Sequence, residues 1–253
     1  MRFASLGSGS RGNATLIESG STCVLLDCGF SVRETERRLA RLDRTASDID
    51  AVVVTHEHSD HISGVATLSR RFDLPVWATL GTATRGALRE LAKLRIFTAH
   101  ESFAIGDIEV APYPVPHDAR EPCQFTFDNG AQRLGVLTDT GCITAHIVEQ
   151  LTDCAALMLE CNHDEEMLRA SRYPQPLKER IAGRFGHLSN GQSAQLLEAV
   201  NTRSLQHLVA VHLSEQNNKP ELARSALSDT LGCTPDWIDV ADQSEGIGWR
   251  NIS

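Results

Sequence analysis

HEHSDH, residues 56–61, is the stretch on which the reading of this chain turns. It follows the apolar run AVVV, residues 51–54, and passes into a helix-like stretch that begins near His61. It therefore reads as the loop in which a buried strand turns into a helix. Three imidazoles and the Asp60 carboxylate fall within it, and neutral imidazole with carboxylate suits zinc, manganese or iron. The spacing separates them into two pairs. His56 and His58, two apart in an extended segment, can point at one ion, while Asp60 and His61, where the chain begins to coil, can reach a second ion close by. A histidine-rich loop without metal is the plainer alternative, and the ordering of residue types speaks against it.

A chain of 253 residues, 41% of them hydrophobic, is long enough for one single-cored domain spanning residues 1–253. No Pro/Gly/Ser-rich spacer, low-complexity tract or short repeat divides it, and no apolar run is long enough to cross a membrane. The opening MRFASLGSGS lacks an apolar signal region, so a cytoplasmic location is expected. Seven cysteines without a CxxC pair argue for reduced thiols that fill the core, Cys28 and Cys161 included. The formal charge of -9 works against nucleic-acid binding, because phosphate contacts rely on basic surface. Bound cations would offset part of it, and basic residues gather at 33–41 and 169–184. Each of those clusters, taken alone, reads as a solvated helix face.

Strands are expected at residues 3–6, 14–18 and 23–27. Between the first two lies GSGSRGN, residues 7–13, a loop that either presents backbone N–H groups to an anion or forms a tight hairpin. Ser10 and Asn13 are its candidate substrate contacts. Asp27 ends a strand, where its carboxylate can orient a metal-ligating histidine. Helices are expected at 31–42, 62–71 and 82–93, with a strand at 74–79 between the last two, followed by short strands and turns over 97–128. His117 ends one of these strands, behind Pro114 and Pro116, which stiffen its approach. Strands at 134–137 and 155–159 deliver Asp139 and Glu160 at their C-terminal ends. Helices follow at 165–170 and 176–185, and Ser189 is the expected N-cap of another running to 200. A strand at 208–211 carries His212, and a helix at 219–231 and a strand at 237–240 come last. Two β-rich blocks, each followed by helices, make an α/β protein of four layers with the helices outside two sheets.

In order and spacing, Asp27, the HEHSDH loop, His117, Asp139, His187 and His212 resemble the metallo-β-lactamase superfamily over essentially the whole chain. The resemblance implies a four-layer αββα sandwich holding two divalent metal ions, zinc or manganese with iron as a further option. Within that superfamily, SLGSGSRGN, PVPHDAREP, LTDTG, ECNHD, GHLSN and VHLSEQNNKPELA look like the YycJ/WalJ group, which implies a 5′-to-3′ DNA exonuclease. Matched by position, His56, His58 and His117 would hold one metal, Asp60, His61 and His212 the other, and Asp139 would bridge them. Asp27 would support a ligand from behind. Glu160, His187 and His212 match three later motifs of nucleic-acid-processing members, in which the middle histidine lies near the scissile phosphate. His163, in ECNHD, belongs to the group's pattern and is carried as a further substrate contact. Larger nucleases of the superfamily insert a clamp domain after the bridging aspartate, and here only about twenty residues separate Asp139 from Glu160. Substrate gripping must then come from the sandwich itself or from a second subunit of a homo-oligomer.

Two ions about 3.5–4 Å apart would bring a bridging water toward a hydroxide at neutral pH, and this hydroxide would attack a phosphodiester of nucleic acid, DNA before RNA. Asp60, Asp139 and His187 are the expected catalytic residues, His187 as proton donor to the leaving oxygen. Ser189, at a helix N-terminus, would hold a terminal phosphate. A small-molecule ester, thioester or phosphodiester hydrolase would share the same ligands, and an iron-dependent dioxygenase would need fewer. A binding protein without catalysis would not need the whole set. GHLSN and ECNHD favour the nuclease.

Overall fold

The computed structural model describes residues 1–253. The first sheet is laid down by β1 (Arg2–Gly7), β2 (Ala14–Ser19), β3 (Thr22–Leu26), β4 (Ala51–Val53), β5 (Val76–Thr79) and β6 (Leu94–Phe97). The second contains β7 (Phe103–Ile105), β8 (Ile108–Pro114), β9 (Cys123–Asp128), β10 (Arg133–Leu137), β11 (Ala156–Glu160), β12 (His207–Val211) and β13 (Asp239–Val240). The last strand, β14 (Ile247–Asn251), returns to the first sheet beside β1, giving the orders β14-β1-β2-β3-β4-β5-β6 and β13-β12-β11-β10-β9-β8-β7. The helices α1 (Val32–Ala40), α2 (Ser59–Ile62), α3 (Val65–Phe72) and α4 (Leu80–Ala83) belong to the first half. Those of the second are α5 (Ala145–Leu151), α6 (Glu165–Ala170), α7 (Gln175–Ile181), α8 (Asn190–Ala199) and α9 (Pro220–Leu231).

Strand periodicity builds the layers. Along β4 and the residue after it, Val53 enters the core between the sheets while Val52 and Val54 pack outward. The inner core joins Phe3, Val24 and Val53 to Phe125, Phe127 and Val136 across the two sheets. A second core packs Leu39 of α1 and Leu68 of α3 onto Leu16, Leu25 and Val52. A third packs Ile147, Leu196 and Leu227, from α5, α8 and α9, onto Leu137, Leu157 and Leu159. Each such fully buried side chain contributes about 1.5–3 kcal/mol, so strands on both sides of the site are firmly held. The result is the αββα sandwich expected from the sequence. No helix is long and apolar enough to cross a membrane.

β3 runs parallel to β4, and β10, β11, β12 and β13 are mutually parallel, so their C-terminal ends gather side chains along a common edge of each sheet. The HEHSDH loop is pinned there by backbone bonds, with Asn13 N donating to Asp60 O and Cys28 N to His61 O, each at 2.8 Å. Gly29 permits this approach, since a Cβ there would stand 1.9 Å from Asp60 O.

The structure corrects several expectations. The helix expected over 82–93 is only the short α4 followed by a 3₁₀ turn at Gly86–Glu90, because Gly86 takes a left-handed backbone with φ of 53°. The helix expected over 62–71 starts as α2 and α3, divided at Gly64. Pro235–Trp237 is a 3₁₀ turn, so the strand expected from 237 is reduced to the two-residue β13. β6, α5 and β14 add to the elements read from sequence. Arg38 does not lie on a solvated face: its Nη1 donates to Leu6 O at 2.7 Å and Gln243 O at 3.0 Å, and its guanidinium stacks 3.8 Å from the Phe30 ring centre.

Candidate metal centre

His56 follows β4, His58 caps α2, and Asp60 and His61 lie within α2, the strand-to-helix turn expected for HEHSDH. His117 lies beyond β8, Asp139 beyond β10 and His212 immediately after β12. The donor atoms of His56, His58 and His117 lie within 4.8 Å of one another, as do those of Asp60, His61 and His212. Asp139 stands between the two groups. One of its oxygens is 3.2 Å from His61 Nε2, and the other is 3.5 Å from His212 Nε2 and 4.0 Å from His117 Nε2. Two donors about 2.0–2.1 Å from one tetrahedral ion stand about 3.3 Å apart, so the 3.2 Å between His58 Nδ1 and His117 Nε2 suits a shared ion. His56 Nε2 is buried without a hydrogen-bond partner, an arrangement that costs free energy unless something accepts its lone pair. Orphaned nitrogen, converging imidazoles and buried carboxylates together make a divalent-metal site.

The support behind these side chains is as specific as the side chains themselves. Asp27 Oδ2 is 2.7 Å from His61 Nδ1, which directs Nε2 inward. The same carboxylate accepts from Thr55 N at 2.9 Å and Thr55 Oγ1 at 2.8 Å, and Thr55 Oγ1 is 3.0 Å from His56 Nδ1. Glu160 is fully buried, and its Oε2 accepts from Thr140 N at 3.0 Å and Leu188 N at 3.2 Å. Its Oε1 lies 2.8 Å from His187 Nδ1 and 3.5 Å from His212 Nδ1. Glu160 thereby aims the His187 imidazole, and with Asp139, His187 and His212 it forms a further group whose donor atoms lie within 4.8 Å of one another. Asp27, Asp139 and His212 all carry left-handed backbones, with φ of 59°, 51° and 56°. Such conformations project each side chain off its strand end into the site and concentrate at functional positions.

Burial and mutual repulsion disfavour charge on two imidazoles of the first group: His56 is pushed well below its ordinary value by desolvation and by His61, and His117 is lowered by desolvation. The second group differs. Burial opposes charge on His61 and His212 too, but Asp139 and the other nearby carboxylates override it, leaving His61 well above its ordinary value and His212 at about 10. Burial also opposes charge on Asp60 and Asp139, yet neighbouring histidines bring both below the usual carboxylate range. Loading the metal-free protein with zinc or manganese at neutral pH must therefore expel protons from His61 and His212, about two per chain. Affinity rises with pH as a consequence, roughly tenfold per pH unit for each proton displaced. Calorimetric titration in buffers of different ionisation enthalpy counts the protons, and release of none would contradict this charge pattern.

Asp27→Asn is expected to weaken metal binding by about 10–100-fold while leaving the fold intact, because asparagine also tolerates the left-handed backbone. Competition with a chromophoric chelator measures the change. Unaltered affinity would show that the carboxylate does not orient His61.

The other sequence-selected residues are distributed unevenly. Ser10 is exposed and lines the cleft of about 250 Å³ above the centre, together with His187 and His212. Asn13 is buried, its Oδ1 accepting from Gly9 N at 2.8 Å, its backbone N donating to Asp60 O at 2.8 Å and its Nδ2 to Asp60 Oδ2 at 3.4 Å, so it braces Asp60. Gly9 N and Gly12 N bond within residues 7–13, to Asn13 Oδ1 and Gly9 O, while Ser8, Arg11 and Asn13 donate their N–H groups to Asp242 O, Gln243 Oε1 and Asp60 O, so the turn joining β1 to β2 commits most of its donors to the protein. Ser189 is buried and caps α8, its Oγ donating to Glu165 Oε1 and accepting from Gln192 N. His163 is buried and faces a separate recess beside α7. Neither of these two lines the cleft. Cys28 and Cys161 are thiols in the core, their pKa values pushed up by burial to about 11 and about 12. Sequence reading passed over Thr55, Asn162, Asp118, Tyr173 and Arg180. Asn162 donates to His212 O at 3.0 Å, and the last three line the cleft.

Residues 22–213 match the family described as the β-lactamase superfamily domain. The chain belongs to that superfamily. Within it, the chain is 37% identical over 237 residues to exodeoxyribonuclease YycJ of Bacillus anthracis, covering 91% of this chain and 89% of that protein. It is 31% identical over 236 residues to exodeoxyribonuclease WalJ of Streptococcus pneumoniae, covering 91% and 88%. Among solved structures, the metallo-β-lactamase fold protein YhfI from Bacillus subtilis superposes with a TM-score of 0.75 over 98% of both chains at 14% identity, a likeness of fold. This member of the β-lactamase superfamily is accordingly a YycJ/WalJ-like metal-dependent hydrolase.

Proposed function

We propose that the chain, acting as one domain over residues 1–253, hydrolyses phosphodiester bonds of DNA from the 5′ end with two divalent ions. One would be held by His56, His58 and His117 and the other by Asp60, His61 and His212, with Asp139 shared. The observation that carries the reading is the convergence of these two groups on Asp139 at the floor of the same cleft that His187 lines. The names of the YycJ and WalJ relatives support DNA as the substrate. Zinc or manganese, when bound, would supply Lewis-acid stabilisation of the phosphate and water activated at neutral pH. The chain's own residues do the rest. Glu160 takes His187 Nδ1, leaving Nε2 to deliver a proton to the leaving oxygen. Burial lowers the His187 pKa, but the Glu160 charge prevails and raises it, which favours the protonated ring. Asp27 holds His61, Thr55 holds both His61 and His56, and Asn13 holds Asp60, while Leu177 and Ile181 line the cleft.

The test uses metal-stripped protein, with and without added manganese or zinc, and duplex DNA carrying a 5′-phosphate and a label at either end. Metal-dependent release of mononucleotides from the 5′ end is expected. Release only from the 3′ end would reverse the polarity, and absence of cleavage with every metal would transfer the site to a small ester.

A further inference from the structure

The segment from α6 to His187 departs from the rest of the molecule in two ways. The chain carries a net charge of -9, yet residues 165–187 contain five basic side chains and three acidic ones. Helix α7 buries none of its residues, so its side chains are not committed to the core. Instead Leu177 and Ile181, with Tyr173 just before the helix, form an apolar wall of the cleft, and Arg180 stands on the same wall. Only two tyrosines occur in the chain. Tyr113 is fully buried in the core, with its hydroxyl on Val136 O, whereas Tyr173 is half-buried at the opening to the metal centre.

The wall is fastened at the catalytic end. His187 N donates to Ile181 O at 2.8 Å, and Asp118 N, next to His117, donates to Phe185 O at 3.1 Å. Arg180 binds Asp118 Oδ2 through both Nε and Nη2 at 2.7 Å, while the other oxygen of Asp118 lies 3.6 Å from His117 Nε2. The Arg180 side chain is 65% exposed, so its ion pair is weak and easily exchanged for a phosphate. A cleft of about 250 Å³ falls below the roughly 300 Å³ at which small-molecule pockets begin, too small for a base pair and on the scale of one nucleotide.

We infer that this wall is the strand seat of the enzyme: the terminal base, unpaired, stacks on Tyr173 against Leu177 and Ile181, and Arg180 exchanges Asp118 for a backbone phosphate. The inference rests on the nuclease reading above and supplies the gripping surface that an inserted clamp would otherwise provide. Stacking on an aromatic face accepts every base, which suits an enzyme that removes successive nucleotides.

The metal-loaded protein is tested on a 5′-phosphorylated single-stranded oligonucleotide, with metal content checked for each variant. Tyr173→Ala should raise KM roughly tenfold with little change in kcat, and Tyr173→Phe should restore it, since the ring and not the hydroxyl stacks. Arg180→Ala should raise KM and reduce the slope of log affinity against log salt by about 0.7, the contribution of one phosphate contact to a single strand. Wild-type KM in either alanine variant overturns the inference, as does Tyr173→Phe impaired as badly as Tyr173→Ala. Wild-type protein that cleaves no oligonucleotide with any metal overturns the nuclease reading together with the strand seat, and that control separates the two failures.

Discussion

Asp139→Asn is expected to lower turnover by roughly three orders of magnitude or more and to reduce the metal content from the two ions per chain proposed above. Asp139 is the side chain that both groups of donors share. It lies 3.2 Å from His61, 3.5 Å from His212 and 4.0 Å from His117, and it is buried. Its φ of 51° is tolerated by asparagine, so the replacement removes charge while sparing the backbone. In the metal-free protein that charge is also the largest favourable influence on the protonated forms of His61 and His212. The variant should therefore expel fewer protons when loaded, a readout independent of catalysis. Elemental analysis and turnover on the same preparation test the expectation. Two ions per chain with unimpaired turnover would remove Asp139 from the mechanism.

His187→Ala should leave metal content unchanged and lower kcat by about 10²–10⁴-fold, the range for removal of a general acid. His187 donates or shares its Nδ1 proton with Glu160 at 2.8 Å and keeps a fifth of its side chain, 21%, open to the cleft. The Glu160 charge raises its pKa, which favours the protonated ring, and the proton is lost as the pH rises. The wild-type kcat should therefore fall on the alkaline side, and that limb should vanish in the variant. An alanine variant retaining the limb would assign it to another group. Loss of metal together with activity would make His187 a ligand, in keeping with its 3.5 Å approach to Asp139.

Much of the fold and of the candidate metal centre could be read in advance because the signals are local. HEHSDH sits between an apolar strand and a helix, and Asp139, Glu160 and His212 each follow an apolar run that can only be a buried strand. What stayed hidden depends on contacts between distant parts of the chain. Nothing near Thr55 announces that its hydroxyl joins Asp27 to His56, a link that exists only when β3 and β4 lie side by side. β14 has too little alternation to declare itself, and becomes a strand by pairing with β1 at the far end of the sequence. Ser189 was legible as a helix cap, but the same hydroxyl could not also be seen to bond Glu165, which closes it to a phosphate. Tyr173 and Arg180 resemble surface residues until α7 is placed against the cleft.

The left-handed backbones at Asp27, Asp139 and His212 bear on how natural variation in this protein should be interpreted. A β-branched residue at any of them would disturb the chain path before its altered chemistry mattered, at a cost of about 1–2 kcal/mol for each residue so placed. Invariance there would mix two kinds of selection, one for the peptide conformation and one for the donor atom. Exchanges among aspartate, asparagine and glycine separate the two, and a lineage that had lost catalysis could still keep these small polar residues simply to turn its strands.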